Sequence, residues 1–217
     1  MITDHWPPFG LRLRTARLEL RMPDPDDLAE LAEVAAAGVH DPATQPFATP
    51  WTDGTPEQRA RNTLQWQWLQ WGRWAPDDWS LEFVTVAGGR VVGTQAINAR
   101  NFATLRQVGT GSWLGLAHHG RGIGTEMRAA VLELAFAGLG AEIATSEAFA
   151  DNDASYRVSR KLGYLDDGSN RHLVRGKALV SRRLRLDRAG WAAARTVDVE
   201  IEGLTPCLPM FGLEPPD

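Results

Sequence analysis

Cysteine is almost absent from the chain. Cys207 stands alone, so neither an intramolecular disulfide nor a cysteine-based zinc cluster can form, and a reducing compartment, the cytoplasm, is expected. Long apolar runs are missing as well. No stretch of about 18 apolar residues occurs, and the opening "MITDHWPPFG" has no basic segment leading into an apolar one, so neither a membrane span nor a secretory signal is expected. Basic residues form no long run and the formal net charge is −4, which argues against a nucleic-acid partner held through phosphates. His5, His40, His118 and His172 lack the spacing of a metal site, and no metal is expected. No internal repeat or low-complexity linker marks a second domain. What remains is a chain of 217 residues, 43% hydrophobic, able to bury the core of one α/β or α+β domain.

What is present alternates between strands and helices. "TARLELRMP" sets Leu18 and Leu20 against Arg17, Glu19 and Arg21, the period of a half-buried strand. "DPDDLAELAEVAAAG" begins with acidic residues, repeats Leu28, Leu31, Ala32 and Ala35 at helical spacing and stops at Gly38. After Pro42, Pro46, Pro50 and Pro56 a second helical segment, "EQRARNTLQWQWLQWGRW", carries Trp66, Trp68, Trp71 and Trp74; Leu64, Trp68 and Trp71 share the face expected to meet the core. "SLEFVTVAGGRVVGTQAINA" predicts a hairpin turning at Gly88-Gly89, and "RQVGTGSWLGLA" a further strand. A helix begins at Ile123, "EIATSEAF" is a strand, Tyr156 to Leu162 a short helix closed by Gly163, and the tail "KALVSRRLRLDRAGW" supplies two more strand segments.

The glycines of "HHGRGIGTE" sit just before the helix at Ile123. A phosphate-binding G-x-x-x-x-G-K-[ST] loop fails there, because Arg121 and Gly122 follow Gly120, and the dinucleotide pattern G-x-G-x-x-G fails at Thr125. A strand, a loop rich in backbone N–H groups and a helix N-terminus remain, and together these form an anion site suited to a pyrophosphate. A turn that merely connects strand to helix is the competing reading.

Further along, "DNDASYRVSRKLGY" places Asn152 and Ser155 in an N-x-x-S arrangement followed by Leu162-Gly163-Tyr164. With His119, Gly122 and Gly124 in the pattern Gln/Arg-x-x-Gly-x-Gly/Ala, and with the opening "TARLELRMPDPDDL", the chain resembles the GCN5-related N-acetyltransferase (GNAT) superfamily in its ribosomal-protein-alanine acetyltransferase-like branch. The segments "FGLRLRT", "HDPATQPFATPWT", "DDWSL" and "GSWLGLAHHGRGIGTEMRAAVLELAFA" are similar to a mycobacterial succinyltransferase of that superfamily. The likeness runs from about Thr15 to about Asp187. It departs from the pattern at His119, where glutamine or arginine is usual.

The resemblance implies an α+β GNAT fold: a central mixed, mostly antiparallel sheet splayed between two parallel strands, flanked by helices. It implies an acyltransferase domain over 1–190 and an extension over 191–217, packed on the domain or on a neighbouring subunit. Val197, Val199 and Ile201 alternate with Asp198, Glu200 and Glu202 in that extension, a strand able to add to a sheet edge of either chain. The implied reaction moves an acetyl or succinyl group from acetyl-CoA or succinyl-CoA to a primary amine of a small molecule, peptide or protein, by direct attack. A non-catalytic CoA-binding sensor or assembly module is the alternative. CoA would bind Leu114 and Leu116 through the backbone and lay its pyrophosphate on the loop of His119, Gly120, Arg121, Gly122, Ile123, Gly124 and Thr125. Glu126 would point away from the phosphates. Backbone N–H groups near Trp113 and Leu114 would stabilise the oxyanion, and Ser155, held by Asn152, would protonate the departing thiolate.

An amine of pKa about 8 to 10.4 must lose a proton before attack. Glu82, Asp53 or a water chain are candidate bases, although Glu82 alternates with Leu81 and Phe83 in the manner of a solvent-facing strand residue. A succinyl carboxylate would need partners such as Arg100, Arg106 or His40. The first two helices of the implied fold border the acceptor groove, so Trp66 or Trp74 would line that groove or a subunit interface of a homo-oligomer. Cys207 lies outside these motifs and is not expected to form an acyl intermediate.

Overall fold

The computed structural model describes residues 1–214. The sheet opens with β1 (Arg12–Arg14) and β2 (Leu18–Arg21), in which Leu13, Leu18 and Leu20 are buried while the charged neighbours alternate outward. Helix α1 (Pro25–Ala37) starts where the Asp24 side chain accepts the Asp27 amide, with Pro25 pre-set at the first helical position. Thr55 and Gln58 start α2 (Pro56–Arg73) in the same way. β3 (Asp78–Ala87) and β4 (Arg90–Arg100) form the hairpin expected at Gly88-Gly89, whose φ angles of 58° and 77° suit the turn that follows strand twist. The chain continues through the short α3 (Phe102–Leu105), β5 (Gln107–Leu114), α4 (Ile123–Glu133) and β6 (Ile143–Phe149). It ends with α5 (Asp153–Lys161), β7 (Leu165–Val174), β8 (Lys177–Asp187), α6 (Arg188–Ala194) and β9 (Glu200–Glu202).

Among the described residues nine strands form one sheet in the order β7-β8-β6-β5-β4-β3-β2-β1-β9. Every pairing is antiparallel except β5 with β6, which are parallel from Gln107↔Ile143 to Gly109↔Thr145 and then part. Beyond Gly109 the β6-facing edge of β5 is therefore free of strand partners, a V-shaped opening in the middle of the sheet. On one face α4 packs through Met127 and Val131 against Leu13, Leu20, Leu81 and Phe83. On the other, Leu31 of α1 meets Val84, Val86 and Val91.

Two expectations need correction, and one strand has no counterpart among them. The tail provides one strand, β8, and then a helix, α6, begun by Asp187, whose side chain accepts the Gly190 amide. β7, too polar in "LDDGSNRHLV" to show an apolar period, is held by its hairpin with β8. On α2 the buried positions are Thr63, Gln67 and Gln70, which close over a cavity; Trp71 packs against the core as expected, whereas Trp68 is 53% exposed.

The end of the chain folds back on its own domain. β9 pairs with β1 through Leu13↔Ile201, and Phe211 packs between Trp74 and Trp79, with Trp6 against Trp74. The Trp74 Nε1–H donates to the Met210 carbonyl at 2.9 Å. Cys207 is buried, its Sγ within 3.1 Å of the Gly203 carbonyl, and burial pushes its thiol up to about 12, which leaves no thiolate for acyl transfer.

Candidate active site

The loop between β5 and α4 presents backbone N–H groups. Gly120 and Gly122 take left-handed φ angles of 73° and 77°, which a side chain would strain. Gly122 is also the N-cap of α4, with no side chain capping it. The Thr125 and Glu126 amides bond to the Gly122 carbonyl at 3.2 and 3.1 Å, so the preceding Ile123 and Gly124 amides head the helix without an intrahelical acceptor. Gly124 differs from Gly122: a Cβ there would meet only Leu114 Cδ1, at 3.7 Å, an ordinary contact. Glu126 turns away from the loop, accepting from Thr15 Oγ1 at 2.6 Å and from Arg17 Nε at 2.8 Å, while Arg17 Nη1 donates to the Arg121 carbonyl at 3.3 Å. His119 ties the loop to β5 through Nε2 and the Leu114 carbonyl, 3.1 Å apart, a backbone contact available to any tautomer that donates there.

Across the opening, Asn152 caps α5 by accepting the Ser155 amide at 3.1 Å, which leaves the Ser155 hydroxyl on the cavity. Leu114, Leu116, the run from His119 to Thr125, Asn152 and Ser155 all line this one cavity of about 860 Å³. Ser112 and Arg128 line it further in. A second cavity of about 730 Å³ opens on the α2 face of the sheet, and the two meet at Gly111, Ser112 and Trp113 of β5, under Phe47 and Ala48. The two cavities thus adjoin along this stretch of β5, beyond the point where β5 and β6 separate.

Glu82 lies in the second cavity and is 5% exposed, contrary to the solvent-facing position its alternation suggests; Trp66 and the polar face of α2 cover that side of β3. Burial pushes its carboxyl up from the usual carboxylate range, opposed by hydrogen bonds from Ser80, at 2.7 Å, and from Trp66. Trp66 thus lines the groove, as one of its two expected placements has it, whereas Trp74 belongs to the aromatic core described above. Asp53 does not join the site: Arg175 grips it with Nε at 2.7 Å and holds its carboxyl below the usual range. Arg106 stacks 5.6 Å over Phe102 and lines neither cavity, since its left-handed backbone (φ 47°) turns it to the far end of β5. Arg100 reaches the second cavity but pairs with Asp78 at 3.2 Å, and His40 borders the first, bonded to Thr52 Oγ1 at 2.8 Å.

Glu147 on β6 was not singled out by the sequence. Partial burial works to raise its carboxyl, but hydrogen bonds from Ser181, from His172 at 2.7 Å and from Asn170 at 3.2 Å outweigh that and hold it below the usual range. All three act on Oε1. Its partners come from β7 and β8, so only the hairpin pairing brings them together.

Residues 17–165 match the family model described as "Acetyltransferase (GNAT) domain". The chain belongs to the GNAT family. This GNAT chain is also similar in fold to solved structures of low sequence identity. Mycobacterium smegmatis RimJ in complex with CoA-disulfide shares 18% identity at a TM-score of 0.68, over 88% of this chain and 97% of that one. RimL, a ribosomal alpha-N-protein acetyltransferase in complex with coenzyme A, shares 17% at 0.62, over 80% and 95%. A GCN5-related N-acetyltransferase from Brucella melitensis shares 20% at 0.66, over 85% and 81%. As a GNAT domain the chain is an acyl-CoA N-acyltransferase, and its donor cavity fits that co-substrate on its own geometry. The uncapped amides of Ile123 and Gly124 suit the pyrophosphate, and the unpaired edge of β5 can take the pantetheine arm as an added strand.

Proposed function

We propose that this GNAT enzyme transfers a short acyl group, succinyl in preference to acetyl, from its CoA thioester to a primary amine by direct attack. The shared wall of the two cavities at Gly111–Trp113 carries the proposal, because an amine entering from the α2 face and a thioester lying on the α5 face would meet there without a covalent enzyme intermediate. Glu82, Asn152 and Ser155 hold the catalytic roles. Glu82 takes the amine proton; a carboxylate whose pKa is raised toward neutrality is a better base than an exposed one. The amine nitrogen attacks the thioester carbon, backbone N–H groups around Trp113 and Leu114 receive the oxyanion, and the Ser155 hydroxyl bonds to the departing sulfur.

Succinyl preference draws on the likeness of "GSWLGLAHHGRGIGTEMRAAVLELAFA" to a succinyltransferase and on His40 and Arg100, which border the two cavities where they could meet a carboxylate. RimL acts on a ribosomal protein, which favours a peptide or protein amine over a small molecule as acceptor. A cytoplasmic location is part of this reading and draws on the single cysteine of the chain. Release of free thiol from acetyl-CoA and succinyl-CoA is measured with a panel of peptide N-termini and small amines. Turnover with a higher kcat/KM for succinyl-CoA is expected. Equal or better use of acetyl-CoA removes the donor preference, and CoA binding without turnover on any amine makes the protein a sensor.

A further inference from the structure

A cation is buried in the donor cavity with no anion beside it. Arg128, on α4, is 4% exposed; Nη1 donates to Ser159 Oγ of α5 at 2.8 Å and Nη2 to Ser112 Oγ of β5 at 3.1 Å, while Nε has no partner among the described residues. Of the charged groups on the elements around it, Asp153, Arg157 and Lys161 of α5 line the same cavity but none is bonded to Arg128 among the described residues, and the others are occupied elsewhere. Glu126 and Glu133 of α4 pair with Arg17 and Arg195, Arg160 of α5 donates to the Tyr164 carbonyl, and Glu147 of β6 is bonded to β7 and β8. Tyr164 is buried with its phenol pushed up by desolvation, so it is neutral. A buried guanidinium left between two serines is costly unless an anion arrives.

The phosphates of the donor do not supply that anion. Their amide site is at Gly122–Gly124, and Arg128 lies six residues after Gly122, about 9 Å along the helix. Ser112 is likewise two residues back along β5 from Leu114, toward the meeting point of the cavities. Arg128 therefore stands level with the thioester end, where an anion arises only when the C–S bond breaks. A serine hydroxyl is a far weaker acid than a thiol of pKa about 8.5, so Ser155 by itself is poorly suited to protonate the sulfur outright.

Building on the acyl-CoA reading of the cavity, we propose that Arg128 is the counter-ion of the departing CoA thiolate. The amine nitrogen forms its bond to the carbonyl carbon, and the C–S bond breaks with its electron pair on sulfur. The thiolate is held against the Arg128 guanidinium with a hydrogen bond from Ser155. The amine proton passes to Glu82, and the thiolate is protonated by water after it leaves. Arg128 so supplies fixed positive charge where negative charge develops.

Titration of the thiolate ultraviolet absorbance of CoA bound to the full chain tests this. The bound thiol is expected to ionise at least one pH unit below free CoA, a ten-fold shift in its ionisation constant. Arg128→Met, apolar and similar in length, should abolish the shift, and Arg128→Lys should retain part of it. An unshifted thiol on the wild-type protein, or a shift that survives in Arg128→Met, overturns the proposal. Should Arg128→Met fail to fold, the wild-type titration still decides. Calorimetric CoA binding to the wild type is run alongside: no binding refutes the acyl-CoA reading itself, whereas binding with an unshifted thiol refutes the role of Arg128 alone.

Discussion

Glu82 faces opposing demands at the level of a single side chain. Burial raises its folded-state pKa above that of the unfolded chain, so the stability it contributes is present below the unfolded value and is lost as pH rises through the folded one. Glu82→Gln removes a charge that is costly to bury above that pKa. The variant is expected to melt higher than the wild type at alkaline pH, with the difference shrinking as the pH falls, while kcat falls by about 10²- to 10⁴-fold. The acid limb of the pH–rate profile should vanish with it. Unchanged turnover in Glu82→Gln would return the role of base to a water chain. Ser155 calls for the opposite pattern. Its amide, not its hydroxyl, engages the Asn152 cap, so Ser155→Ala should keep melting temperature and CoA affinity while turnover drops about 10- to 10²-fold, the worth of one hydrogen bond to a charged atom. A loss of stability with full turnover would make Ser155 a structural residue.

The start of α4 separates two glycines that look alike in the sequence. Gly122 needs its left-handed backbone for the loop to enter the helix, whereas Gly124 has room for a side chain as far as the protein is concerned. Gly122→Ala is therefore expected to lower the melting temperature and weaken CoA together. Gly124→Val should leave the melting temperature and far-UV circular dichroism near wild type, yet raise the CoA dissociation constant at least ten-fold, about 1.4 kcal/mol, by crowding the phosphate oxygens. Thioesters of pantetheine that lack the pyrophosphate should bind both proteins equally, because they never reach the loop. Parental CoA affinity in Gly124→Val would show that the amides ahead of α4 hold no phosphate.

For the whole molecule, the segment from Glu200 to Phe211 acts as part of the domain. β9 covers the edge of β1, and Gly203 makes that return possible: its φ is +72°, and a Cβ there would stand 2.4 Å from the Gly10 carbonyl oxygen. Gly203→Ala should cost about 1–3 kcal/mol through backbone strain and expose the β1 edge to other chains. A lower melting temperature together with concentration-dependent association in sedimentation is the expected result. Unaltered melting would mean that the tail contributes little to the fold.

Local pattern was enough for the parts of this protein that local physics controls. The acidic start and Gly38 stop of the first helix, the Asn152–Ser155 junction, the Gly88-Gly89 hairpin and the glycine loop before Ile123 are all readable, since each depends on residues close in sequence. Those motifs in order also point to the GNAT family and to one wall of the donor cavity. The tertiary structure alone decided which side chains share an environment across the sheet. Alternation placed Glu82 in solvent, but α2 buries it; the helical face placed Trp68 in the core, but it stands 53% exposed and Thr63, Gln67 and Gln70 are the buried residues of that helix. Glu147 acquires its partners from β7 and β8, and Arg128 its isolation from β5 and α5, contacts separated by 16 or more positions in the chain. Burial and charge pairing are properties of such long-range neighbours, and they set the chemistry of the site.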